Sequence, residues 1–386
     1  MRKFNIDKIL LLSVSILFCF AILEITARMF YGIPPSDMSN FSLSKSNYYQ
    51  KDKELSWVPR KNIRGIHNKR GSFSTTFTTN SRGLRDKEYS LKKPDGVKRI
   101  VVVGDSFTWG FGVNDNENYT ERLESMLHNA EVINLGVTAY QLWKEILYFK
   151  REGVLYNPDI LIVGLCLNDF IHGKIEEKKV TSASNIKDHG KTEAKSQAAT
   201  PINFKYYLKK YVFQNSAFFT FILDRINTSK SIIKGLSYIG LKELTGFEDL
   251  DWNLMPALKD YPDYLKKCWE ETQSDLLQFK RLASDSGVRL IIAVIPSVQS
   301  IQEISFRHTI SYSIFDKDDF DLDKPYRMLK EFALKNNIEI IVPVNVFREA
   351  NRGGQHLYLK RDMHFSAAGH DLFAHAIADY LSKNKL

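Results

Sequence analysis

Arg99-Ile100-Val101-Val102-Val103-Gly104-Asp105-Ser106-Phe107-Thr108-Trp109-Gly110 is the stretch on which the fold turns. Ile100 to Val103 run without a polar break, as in a strand buried on both faces. Gly104-Asp105-Ser106 then punctuates the run, and an amphipathic segment follows from about Glu117. The tripeptide by itself reads as a turn. In an open α/β sheet, however, a small hydroxyl residue at the carboxyl end of a buried parallel strand sits where ligands bind.

The same alternation continues along the chain. Strands are expected at Ile100–Gly104, Val132–Leu135, Ile160–Leu167, Arg289–Ile295 and Ile338–Val342. Helices are expected at about Glu117–His128, Gln141–Glu152, Tyr264–Ser286, Pro325–Lys335 and Ala367–Lys383. Alternating elements of this kind build a parallel sheet covered on both faces. The chain of 386 residues leaves room for that core and an insertion.

Upstream, Lys3 and Lys8 precede an uncharged run from Ile9 to Leu23, with Glu24 and Arg28 after it. The run is shorter than the ~20 residues of a full span, but Ile25, Thr26 and Ala27 extend it. We expect a membrane anchor over 1–30, with a cleaved signal and a core helix as alternatives. The basic flank places the remainder outside the cytoplasm. Residues 31–98 form a stalk or wrapping extension. Within it, Ser72 to Thr79 alternates with a period of two and suits a strand. Asn80-Ser81-Arg82-Gly83-Leu84-Arg85-Asp86 is expected to be a solvated hairpin tip. An insertion at 172–262 begins with a Lys/Ser/Thr-rich part and continues with an aromatic part, Phe204 to Ile239. The aromatic part is either a lid or a packed appendage.

Composition narrows the function. Net charge is +9, but the basic residues are spread along the chain, so nucleic acid is not indicated. The three cysteines, Cys19, Cys166 and Cys268, have no metal-ligand spacing.

Chemistry-bearing residues collect at the predicted strand ends. They are Ser106, Gly136 after the second strand, Asn168-Asp169 after the third, and Asp362-Met363-His364 before the last helix, which Ser366 is placed to cap. A serine hydroxyl needs a base to become a nucleophile, histidine serves as that base near neutral pH, and a carboxylate fixes the imidazole tautomer. Asp105 reads as a turn residue, His370 as structural, and Trp109 as either a wall of the site or a piece of core.

These four blocks, in this order, resemble those of the SGNH hydrolases, or GDSL esterases, over about residues 99–172 and 288–383. The resemblance implies a flavodoxin-like three-layer α/β/α sandwich over 99–386. It implies Ser106 as nucleophile, His364 as base and Asp362 as its partner. Ser106, Gly136 and Asn168 would supply the oxyanion donors, with no metal or organic cofactor. Asp-x-His with one intervening residue, and Asn80 to Arg85 upstream, look like membrane-anchored relatives that act on O-acetylated cell-surface polysaccharide, some by transferring the acetyl group. The partners expected are thus an acylated carbohydrate and a membrane. A lipid acyl-ester hydrolase or thioesterase, and a non-catalytic carbohydrate-binding assembly protein, are the alternatives.

Overall fold

The computed structural model describes residues 6–31, 48–69, 72–171, 216–219, 221–222, 250–311 and 313–384. In chain order these form α1 (Ile6–Tyr31), β1 (Tyr49–Asp52), β2 (Ser56–Pro59), β3 (Arg64–Lys69), β4 (Phe73–Thr78), β5 (Lys98–Gly104), α2 (Ser106–Trp109), α3 (Tyr119–Met126), β6 (Ala130–Gly136), α4 (Leu142–Arg151) and β7 (Ile160–Leu165). They continue as α5 (Asp263–Asp285), β8 (Arg289–Val294), α6 (Val298–Ile301), α7 (Glu303–Ser311), α8 (Lys324–Lys335), β9 (Glu339–Ile341), α9 (Val344–Arg352) and α10 (Ala367–Lys383). Two compact units result. The smaller comprises Met1–Phe41, Lys69–Gly71 and Asp188–Leu244, and the larger Ser42–Asn68, Ser72–Lys187 and Thr245–Leu386.

The larger unit is built on a five-stranded sheet ordered β6-β5-β7-β8-β9, with every neighbouring pair parallel. Ile100 to Val103 are fully buried although successive strand residues face opposite sides, so both faces of β5 are covered. Each such side chain contributes roughly 1.5–3 kcal/mol. α3 and α10 pack together, as do α4 and α5. On α10, the buried residues His370, Phe373, Ala374, Ile377 and Leu381 follow the helical repeat and form one apolar stripe. The order is the flavodoxin type, and its direction reverses between β5 and β7.

The carboxyl edge at that reversal is shaped by three glycines. Gly104 pairs in register with Gly136 on one side and with Gly164 on the other. α2 lies directly on them. A Cβ on Gly136 would come within 2.3 Å of the Trp109 nitrogen, and one on Gly104 within 2.0 Å of Thr108 Oγ1.

Residues 48–78, expected as extension, form two paired hairpins, β1–β2 and β3–β4, with β4 at the expected strand. They carry Tyr49 and Phe77 onto Trp109, at ring separations of 5.8 and 5.5 Å. Trp109 is fully buried, which makes it core and not a wall of the site. Asn80 to Asp86 is not a solvated tip, because Asn80, Leu84 and Arg85 are buried. The Asn80 carboxamide accepts from the Arg82 and Leu84 N–H groups and donates to Lys87 O, and Gly83 takes the left-handed conformation at φ +89°.

The smaller unit contains α1, 26 residues long, with side chains described at 11–12 and 14–29. Among the described residues no helix is long and apolar enough to cross a membrane, so the spanning helix expected over 1–30 is not supported. Glu24 instead accepts from Ser216 Oγ and from the Ala217 and Phe218 N–H groups. The aromatic stretch 204–239, read as a lid or an appendage, lies almost wholly outside the described residues. Four short helices, α2, α6, α7 and α9, were not expected from the sequence.

Gly136→Ala should therefore cost stability by overpacking, roughly 1–3 kcal/mol, and should lower activity with it by displacing α2. Thermal melting and esterase assays on one preparation would show the two falling together, and a normal melting temperature would contradict the close-approach account.

Candidate active site

Ser106 opens α2 at the carboxyl end of β5. It is placed there by Asp105, which caps the helix by accepting from the Phe107 N–H at 2.9 Å. The first N–H groups of a helix have no partner within it, so the Ser106 N–H is not used by α2 itself.

His364 and Asp362 come from the loop before α10, 258 residues away for His364. That loop is drawn in by the Tyr358↔Phe365 bridge and by the Leu359 N–H, which donates to His364 O at 2.9 Å. Arg361, just before Asp362, takes the left-handed conformation at φ +57°, unusual for a residue with a side chain. Ser366 caps α10 as expected, accepting from the Gly369 N–H at 3.3 Å, and this leaves both residues in the loop.

The three side chains meet. His364 Nε2 lies 2.7 Å from Ser106 Oγ, and His364 Nδ1 lies 2.5 Å from Asp362 Oδ1. An ionised carboxylate can only accept, so in the neutral ring the proton sits on Nδ1 and Nε2 accepts from the serine hydroxyl. The His364 N–H also donates to Asp362 Oδ1 at 3.0 Å, fixing the carboxylate from the backbone. The His364 side chain is 12% exposed and that of Asp362 9% exposed, so the pair is screened from water yet open enough for a ligand. Two phenylalanines, Phe107 and Phe111, lie against the imidazole at ring separations of 4.9 and 4.8 Å.

Asn168 lies in the 3₁₀ turn Leu167–Phe170 that ends β7, the strand beside β5. Its amide Nδ2 donates to Asp105 Oδ2 at 3.2 Å. That bond uses one of the two N–H groups of the amide. Asp169 braces the turn, its carboxylate accepting from the Cys166 N–H at 2.9 Å.

Gly136 is the third residue expected to supply an oxyanion donor. Its N–H donates to Asn134 Oδ1 at 2.8 Å, and its α-carbon lies beneath Thr108 and Trp109. The residue is a glycine so that α2 can seat, and its N–H is already committed. The loop beyond it carries Ala139 in the left-handed conformation at φ +60°. His370, read as structural, is fully buried, with Nδ1 accepting from the Tyr119 N–H at 3.3 Å; burial pushes its imidazole down to about 3.

Buried carboxyl groups gather beneath the site. Burial raises Asp105, against the lowering effects of the Phe107 N–H, the Asn168 amide and His364. Burial raises Glu145 and Asp169 well above the usual carboxyl range, and Asp105 adds to both. Neither Glu145 oxygen has a hydrogen-bond partner among the described residues. Among the described residues no cluster of three His, Cys, Asp or Glu has the arrangement of a metal site.

The structure brings the expected Ser106, His364 and Asp362 into contact and sets the expected Asn168 against Asp105. Sequence reasoning missed the bond of Asp105 with Asn168, the burial of Arg85 and the contact of Phe111 with His364. Arg85 stood in the Asn80–Asp86 motif, which was the available signal.

No family model matches the chain, and no curated protein matches it. Among solved structures it is similar to a member of the lipolytic G-D-S-L family from Veillonella parvula, with 14% identity over 74% of this chain and 100% of that one and a TM-score of 0.40. It is also similar to a putative acylhydrolase from Bacteroides fragilis (12% identity, 76% and 92% covered, TM-score 0.38). A third is a catalytic mutant of an acetylxylan esterase from Geobacillus stearothermophilus (12% identity, 76% and 97% covered, TM-score 0.38). These include the class that the sequence blocks resemble. At such TM-scores the likeness carries no argument, and the reading of the site rests on the geometry of Ser106, His364 and Asp362.

Asn168→Ala removes a side-chain donor at the loop edge. It should lower kcat roughly 100- to 1000-fold, as removal of an oxyanion donor does, with little change in KM or melting temperature. Asp105→Ala should lower both kcat and melting temperature, because it uncaps α2 as well as releasing Asn168. Loss of stability with normal kcat in Asn168→Ala would reduce Asn168 to a turn residue.

Proposed function

We propose that this chain is a serine esterase of the SGNH class, using Ser106, His364 and Asp362. The observation that carries the reading is the continuous contact from Ser106 Oγ through the His364 ring to Asp362, 2.7 and 2.5 Å in length, at the switch point of a parallel sheet. An acyl ester bound there is attacked at its carbonyl carbon by Ser106 Oγ, whose proton passes to His364 Nε2. The imidazolium so formed is stabilised by Asp362. The tetrahedral oxyanion faces the Ser106 N–H and the free N–H of Asn168. On collapse, the Nε2 proton goes to the departing alcohol oxygen and an acyl-serine remains. Water or a second hydroxyl, deprotonated at its turn by His364, then releases the acyl group. Nothing in this sequence of steps calls for a metal or an organic cofactor.

The substrate we propose is an O-acetyl ester of carbohydrate, acting as donor in hydrolysis or in transfer. It is supported by the Asp362-Met363-His364 spacing and the Asn80–Arg85 motif, both similar to polysaccharide-modifying relatives. A site outside the cytoplasm, where cell-surface carbohydrate lies, is part of the same proposal. Protease added to intact cells, or to spheroplasts where an outer membrane encloses a periplasm, should then cleave the chain, whereas protection that persists until those cells or spheroplasts are lysed would place it inside.

The direct test is labelling with a fluorophosphonate followed by acetyl-release assays with and without a sugar acceptor. Wild-type protein should be labelled at Ser106 and release acetate. Ser106→Ala should keep its melting temperature and lose both, and His364→Ala should lose turnover to a comparable degree because triad members act as a unit. Retained turnover in Ser106→Ala would remove the covalent route.

A further inference from the structure

Arg85 has a buried side chain and directs every arm of its guanidinium at one short segment. Nη1 donates to Trp109 O at 3.0 Å and to Gly110 O, and Nη2 donates to Val113 O at 2.7 Å. Nε donates to Asp115 Oδ1 at 2.8 Å, which balances the charge. A planar fork of five donors suits this simultaneous capture of three carbonyls and a carboxylate, and an ammonium does not.

The segment so held is joined to the nucleophile. Ser106 O accepts from the Gly110 N–H at 3.1 Å and from the Phe111 N–H at 2.9 Å, and Gly110 turns the chain at φ +82°. Phe111 emerges from this turn with its ring 4.8 Å from the His364 ring. Behind Phe111 stand Phe73 at 5.5 Å and His67 at 4.8 Å, both from the β3–β4 hairpin. His67 is buried and driven down to about 3 by burial, with the charges of Arg85 and His364 adding to it, so it is a neutral packing partner near neutral pH.

We propose that Arg85 is a positioning residue for the triad: by fixing the 109–113 turn, it holds Phe111 against the His364 imidazole and keeps Nε2 aimed at Ser106. The role of the Asn80–Asp86 motif is then to deliver one guanidinium to the carbonyls that follow the nucleophile. Small displacements of a catalytic group cost large factors in rate, up to about 100-fold for 1 Å. This proposal rests on the esterase reading for its kinetic arm and is independent of it for its structural arm.

The experiment uses the full chain and the variants Arg85→Lys, Phe111→Leu and the double mutant. The kinetic arm measures kcat and KM on p-nitrophenyl acetate. Arg85→Lys should lower kcat about tenfold or more with KM little changed, Phe111→Leu should do the same with a near-normal melting temperature, and the double mutant should fall no further than the worse single. The structural arm records the His364 ring resonances by ¹⁵N NMR, and both single variants should move or broaden them in the same sense. His364 resonances that stay in place in either variant would overturn the proposal, as would losses in kcat that multiply in the double mutant. If Arg85→Lys does not fold, Phe111→Leu alone still decides whether the Phe111 ring holds His364. Wild-type protein that neither turns over the ester nor reacts with a fluorophosphonate, yet shows the shared resonance change, would leave the positioning role standing and remove the esterase reading.

Discussion

The close approach of α2 to the sheet is the constraint on which the site depends. Gly104, Gly136 and Gly164 stand side by side on three adjacent strands, and no Cβ at Gly104 or Gly136 fits beneath Thr108. The surface they leave lets a four-residue helix sit flat on the carboxyl edge, with Thr108 held by Tyr119 at 2.8 Å and with Asn118 and Asn134 donating to Thr108 O. Ser106 inherits its position from that seat. Glycine in a strand interior is normally a cost in entropy and lost packing, and here the cost is accepted where a backbone must come near.

The remaining parts of the site are brought to Ser106 by separate devices. Asp105 serves two of them at once, as cap of α2 and as acceptor for the Asn168 amide. Its carboxylate is buried, and burial alone would favour the neutral acid; the Phe107 N–H, the Asn168 amide and the nearby imidazole act the other way. The carboxyl groups of Asp169 and Glu145 lie in the same region and are held toward their neutral forms, which limits the negative charge around Asp105. The hairpins of 48–78 pack on Trp109 and Phe111, so a segment that looked like an extension belongs, Lys69–Gly71 apart, to the larger unit.

The core of the architecture was legible because its signals are local. An unbroken apolar run such as Ile100–Val103 can only be buried on both faces, and five such runs separated by amphipathic stretches describe a covered parallel sheet. The last helix was read over its observed span, Ala367–Lys383, because Ser366 caps it and its apolar residues repeat at helical spacing. The short helices α2, α6, α7 and α9 escaped because four to nine residues carry too little periodicity to separate a helix from a loop. The N-terminal run showed the reverse weakness, since apolar length suggested a membrane span that the described part of the helix does not support.

What the sequence by itself determined was the strand and helix order and the candidate residues Ser106, His364, Asp362 and Asn168. These depend on residue type and on near neighbours. The tertiary structure decided which polar groups are spent on one another. Gly136 N–H goes to Asn134, Asp105 to Asn168, and Arg85 to carbonyls as far as 28 residues along the chain. It also decided that Trp109 is core and that Asn80, Leu84 and Arg85 are buried. The physical reason is that a hydrogen-bonding group has no fixed partner in sequence. Its partner is whatever the fold brings within about 3 Å, and an unsatisfied group in the interior is costly enough that the fold must find one.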